Sequence, residues 1–210
     1  MTQRRLFAAG LAAGLFVAAA AFPFAPAEAS PDLEKGGGAF IESLAKQAVD
    51  SLADQAVPRP ERIIRFRRMF NDSFAVEVIG RWILGRYWRE ASEVERAEYL
   101  RLFEDLIVNT YAERFERYGG EKLVVVGASQ EGDQDPVVQT AIVRPASDQQ
   151  FKVDWRLRRR QGRLMIVDVI VEGVSMGQTQ RSEFASAIRQ SGGGLDDFLA
   201  MLKKRVNGTA

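Results

Sequence analysis

Between Lys122 and Gly173 four short apolar-rich segments follow one another, the third alternating at every second position and the fourth apolar on both faces, and on either side of that stretch the apolar residues recur every three or four. A period of two belongs to one face of a strand and a period near 3.6 to one side of a helix. The segments "KLVVVGAS", "PVVQTAIVR", "QFKVDWRLRRR" and "GRLMIVDVIVEG" therefore read as four strands, at 122–129, 136–144, 150–160 and 162–173. In the third, Phe151, Val153, Trp155 and Leu157 alternate with Lys152, Asp154, Arg156 and Arg158, so one face is buried and the other wet. Arg160-Gln161-Gly162-Arg163 reads as the turn of a hairpin.

Helical periodicity fills the rest. Residues 30–38 read as a loose lead-in, because Gly36 to Gly38 weaken a helix there. A first helix is expected from Ala39, with Phe40, Ile41, Leu44, Ala48 and Leu52 on one side, and Pro58 and Pro60 end it. A short second helix spans 61–70. Asn71, Asp72 and Ser73 then form a capping cluster before a third, which closes near Gly85. Ser92 and Glu95 have capping-box spacing and open a long fourth helix that stops at Gly119-Gly120. Two more helices are expected at 176–190 and 195–207, separated by Gly192 to Gly194. The fold class is α+β, with a helical layer packed on a twisted antiparallel sheet of about four strands.

Residues 1–29 place Arg4 and Arg5 before an Ala/Leu/Phe/Val stretch that ends in Ala27-Glu28-Ala29. That order reads as a secretory signal peptide cleaved after Ala29, and it leaves residues 30–210 as a single domain outside the cytoplasm. The leader removes two basic residues and one acidic residue from totals of 29 and 28, which leaves 27 of each. A neutral chain does not suit sequence-independent nucleic-acid binding. Histidine and cysteine are both absent. A Ser-His-Asp triad, a Cys nucleophile and the usual zinc ligands are thereby excluded, and no metal or cofactor is expected.

Few residues invite a catalytic reading. Asp154 alternates with Lys152 and Arg156 and reads as a surface charge. Asp168 shares a face with Ile166 and Ile170 by strict alternation, and is expected as a buried carboxylate paired with an arginine. The basic run Arg156, Arg158, Arg159 and Arg160 reads as a solvated hairpin edge. Ser175 and Gln178 have capping-box spacing, so the cluster after Gly173 starts a helix and needs no nucleophile. No catalytic residue is assigned, and the chain is not expected to be an enzyme.

"WREASEVERAEYLRLFEDLIVNTYAERFERYGG", "DWRLRRRQGRLMIVDVIVEGVSMGQTQRSEFASAI" and "GGGLDDFLAMLKKR", taken in order, resemble the MlaC family of periplasmic phospholipid-binding proteins, also called toluene-tolerance auxiliary proteins. Leu84-Gly85-x-x-Trp88, Val169-x-Val171-Glu172-Gly173-Val174-Ser175 and Arg181-Ser182-x-Phe184 carry the likeness, which runs from about Phe40 to Leu202. The resemblance implies an apolar cavity between the helical layer and the sheet that holds the tails of a diacyl phospholipid. It also implies a shuttle in the periplasm between an outer-membrane lipoprotein complex and an inner-membrane ABC transporter with its MCE-domain subunit. The expected tail pocket takes Phe70, Phe74 and Ile79 from the early helices, and Tyr99, Phe103, Ile107 and Tyr111 from the long one. Val153, Trp155, Val167 and Val169 come from the strands, and Phe184 and Ile188 from the helix after them. Three alternatives stay open: a hopanoid-associated carrier, a cone-shaped α+β enzyme acting on a small hydrophobic substrate, and a periplasmic interaction module with a solid core.

Overall fold

The structure, a computed structural model, describes residues 31–208 apart from 53, 55, 116–117, 131–134 and 146–149. The expected leader lies outside the described residues. The helices before the sheet are α1 (Pro31–Leu52), α2 (Arg59–Ser73), α3 (Val76–Leu84), α4 (Arg86–Glu90) and α5 (Glu93–Phe115). The strands are β1 (Lys122–Ser129), β2 (Val137–Val143), β3 (Gln150–Arg160), β4 (Arg163–Val171) and β5 (Val174–Ser175), followed by α6 (Met176–Gln190) and α7 (Leu195–Gly208). Among the described residues no helix is long and apolar enough to cross a membrane.

The sheet is open, ordered β1-β2-β3-β4-β5, with every neighbouring pair antiparallel. Four strands match the four apolar-rich segments. The fifth is a two-residue addition, formed when the chain turns at Glu172-Gly173 and pairs Val174 and Ser175 back onto Val171 and Ile170. Cross-strand register puts Val138, Thr140, Val153, Trp155, Leu157, Ile166 and Val169 on one face, which turns toward the helices.

Strict alternation fails at Val126 in β1, where the pairing with β2 shifts, and again in β4. Asp168 lies opposite Arg156, yet Leu157 lies opposite Ile166, so Val167 is one residue too many on β4. Such a bulge rotates the strand locally. It sends Ile166 to the inner face and leaves Asp168 outside with Ile170, which corrects the face that simple alternation assigns to them.

The first helix also differs from expectation. It starts at Pro31 and carries Gly36 to Gly38 inside it, because the glycines let its backbone lie on the sheet. A Cβ on Gly37 would stand 2.9 Å from Val138 Cγ2 and 3.3 Å from Leu157 Cδ1. Asn71 to Ser73 do not cap α3. They complete α2, and the chain then hooks onto the sheet: Phe74 bridges Ile166 in parallel, and the Ala75 amide donates to the Ile166 carbonyl at 2.9 Å.

The interior divides into two cores. One joins α3, α4, α5, α6 and α7 through Leu84, Tyr87, Tyr99, Phe103, Phe184, Phe198 and Leu202. The other joins α1, α2 and α5 to the sheet through Ile41, Phe66, Phe70, Val108, Leu157 and Ile166. Helix α5 belongs to both. Its Tyr99, Leu102, Phe103 and Leu106 serve the first, and Val108 and Ala112 the second. A helix with neighbours on two sides spreads its apolar residues around its circumference, unlike a surface helix with a single stripe.

Candidate functional site

The sheet-side core has a flat apolar wall and an aromatic one. From α2 and the residue after it, Phe66, Phe70 and Phe74 form a row with centroid separations of 6.3 and 4.7 Å. On the sheet, the Trp155 indole sits at the edge of the same cluster with its N–H donating to Thr140 Oγ1 at 3.1 Å. Thr140 is buried and donates in turn to the Val153 carbonyl at 2.6 Å. These two bonds satisfy the polar atoms that an apolar wall would otherwise leave unpaired, and they fix the ring against the strand.

The helix-side core is a tight aromatic cluster. Tyr99 lies 5.9 Å from Phe103 and 6.2 Å from Phe184, and Phe184 lies 5.0 Å from Phe198, the last two contacts edge to face. The Tyr99 hydroxyl donates to the Gly80 carbonyl at 3.0 Å, and burial raises its pKa well above the ordinary phenol value. A phenol held in that way is a structural donor at any physiological pH.

The thirteen expected pocket residues therefore fall into separate places. Phe70, Phe74, Tyr111, Trp155 and Val169 meet in the sheet-side core, and Ile107 touches both cores. Ile79, Tyr99, Phe103, Phe184 and Ile188 meet in the helix-side core. Val153 is buried on the inner face of the sheet, and Val167 is the half-buried bulge residue. Phe66, Val108 and Ala112 share the sheet-side core and are not among the expected pocket residues. The signal for Phe66 was present in its i,i+4 spacing to Phe70 and Phe74.

The family-like segments converge on one junction. Asp168 Oδ1 accepts from the Val169 amide at 2.9 Å and the Gly177 amide at 3.1 Å, and Oδ2 accepts from the Ser175 hydroxyl at 2.7 Å. Ser175 Oγ accepts in turn from the Gln178 amide at 3.0 Å, as the capping-box spacing predicts. The carboxylate thus serves the start of α6, and this corrects the expectation of an arginine partner. Arg181 instead donates to the Trp82 carbonyl at 2.8 Å and stacks on the Trp82 ring at 5.1 Å. Asp154 differs as well: it lies on the outer face but is 9% exposed, with Lys152 Nζ 3.3 Å from Oδ2. Arg158 is held by Asp135 through both of its oxygens, at 2.9 and 3.1 Å from Nε.

Comparison with known proteins bears on these features. A family model described as "MlaC protein" matches residues 42–204. The intermembrane phospholipid transport system binding protein MlaC of Haemophilus influenzae is 24% identical over 138 residues, which are 63% of this chain and 62% of that protein. The chain thus spans about three-fifths of the length of this curated relative. A solved structure of the phospholipid-binding protein from Ralstonia solanacearum, in complex with a phospholipid, superposes with a TM-score of 0.70 at 15% identity. It covers 82% of this chain and 97% of its own, and establishes a shared fold. Because the family model spans most of the described residues, this chain belongs to the MlaC protein family.

Proposed function

We propose that this protein is a periplasmic carrier of diacyl phospholipid, holding the acyl tails between the sheet and α1, α2 and α5. The observation that carries the reading is the division of the interior into two cores. The helix-side core ties α3 and α5 to α6 and α7 without using the sheet's inner face. It can hold the fold while the apolar wall of Phe70, Phe74, Ile107, Tyr111, Trp155 and Val169 parts to admit tails. The family match, and the phospholipid named for both relatives, point the same way.

Energetics give such a carrier its purpose. Burying a methylene is worth about 0.8 kcal/mol, so two tails of about 15 methylenes each would cost roughly 24 kcal/mol to expose to water. Passage from a bilayer into an apolar pocket changes that term little. Direction would then come from docking to an outer-membrane lipoprotein complex at one end and an inner-membrane MCE-domain transporter at the other. An enzymatic use of the cavity would need an inward acid or base, and the donors around Asp168 already occupy its oxygens.

Val169→Trp tests the tail site, because an indole on the inner face fills the space that tails would take. The variant is expected to retain its circular dichroism and lose most of its lipid on organic extraction. A folded variant with the lipid content of the wild type would place the tails elsewhere.

A further inference from the structure

A depression of about 620 Å³ opens where the Phe74 segment bridges β4, beside the β3–β4 hairpin tip. The apolar part of its lining includes Phe74, Val76, Leu100 and Met165. Phe74 and Val76 also pack on the sheet-side core, so the depression and that core share a wall.

Arg160 and Arg163 line its rim and are direct cross-strand partners, the last pair of the hairpin. The turn between them is two residues long, with positive φ at Gln161 and Gly162 (47° and 78°), which fixes that pairing. Like charges directly opposite each other on a sheet repel. No hydrogen bond or ion pair engages either guanidinium among the described residues. The other charged groups of the lining are mostly committed: Arg101 to Asp105 at 3.0 Å, and Glu104 to Arg67 at 2.7 Å and Asn71 at 3.1 Å. Glu77, on the α3 wall, is the carboxylate left without a partner among the described residues.

We infer that this depression seats a phosphate group, with Arg160 and Arg163 as its direct ligands. Two adjacent guanidiniums present parallel donors to a tetrahedral oxyanion, which also relieves their mutual repulsion. The inference rests on the carrier reading for the source of the phosphate: it is the headgroup of the bound lipid, whose tails pass Phe74 into the sheet-side core. Glu77 then faces the cationic end of a zwitterionic headgroup.

The test is uptake by the full chain from vesicles holding phosphatidylethanolamine and diacylglycerol in equal amounts. The two lipids have the same tails, and only one has a phosphate. Wild-type protein and an Arg89→Gln control should take up phosphatidylethanolamine preferentially. Arg160→Gln/Arg163→Gln should lose that preference by roughly tenfold, the scale of a lost charge-assisted contact, and still take up diacylglycerol. Both positions are exposed, so the variant keeps its fold. Undiminished preference in the folded double variant overturns the phosphate seat and leaves the carrier reading standing. If the wild type takes up neither lipid, the carrier reading fails. Inorganic phosphate titrated by calorimetry then decides the seat: binding lost in the double variant supports a phosphate site of another source, and no binding overturns it.

Discussion

Arg181 reaches from α6 to the end of α3, and one of its terminal nitrogens lies 3.1 Å from where a Cβ on Gly85 would stand. Gly85 has φ 61° and ψ −122°, a conformation that side chains strongly disfavour. The same guanidinium donates to the Trp82 carbonyl, so glycine and arginine together lock α6 onto α3. Gly85→Ala meets both obstacles and should destabilise the protein by about 1–3 kcal/mol, the range for a strained backbone position. Urea unfolding measures it, and an unchanged midpoint would refute the lock.

Asp168 gathers three donors at the start of α6, and an amide in its place cannot accept at both positions. Asp168→Asn should cost about 1–3 kcal/mol, with Ser175→Ala costing about 1 kcal/mol as a lost cap. Because the two residues share a hydrogen bond, their effects should sum to less than additive in a double-mutant cycle.

Neighbouring glycines in α1 should respond in opposite senses. Gly36 has nothing within 4 Å of an added Cβ, so Gly36→Ala should stabilise by about 0.5–1 kcal/mol through helix propensity. Gly37→Ala would press on Val138 and Leu157, both fully buried, and should lower Tm. Thermal melts of the two variants check the contrast, and a rise in both would mean that α1 does not seat on the sheet.

Ser92 holds the Glu95 carboxylate through its hydroxyl at 2.6 Å and its amide at 2.7 Å, and these bonds push the Glu95 pKa below the ordinary carboxylate range. A lowered folded-state value stabilises the fold above the unfolded pKa, and that contribution is lost as pH falls through the folded one. The stability advantage of wild type over Glu95→Gln should therefore be full at neutral pH and shrink in acid below the usual glutamate range. Denaturant titrations of both proteins at the two pH values measure it.

Local order was plain in the sequence, and contacts between distant segments were not. The apolar-rich segments fix β1 and β3 to the residue, and the Ser175 spacing fixes the start of α6, because both signals are local. Gly36 to Gly38 were misread for a physical reason: intrinsic propensity counts against glycine in a helix, and the Val138 and Leu157 surface that favours it lies a hundred residues away. The bulge at Val167 leaves no mark on an apolar run, so the sides of Ile166 and Asp168 could not be told apart. The aromatic positions of the candidate pocket were recognised as inward, yet their division between two cores depends on α5 having neighbours on both sides.

The central claim is that the sheet-side core takes lipid tails, and native mass spectrometry of the protein purified from a periplasmic extract tests it most directly. Organic extraction and lipid analysis of the bound material accompany it. The account predicts one diacyl phospholipid per chain, displaced in Val169→Trp. Protein that is empty as purified, and still empty after incubation with phospholipid vesicles, would contradict it.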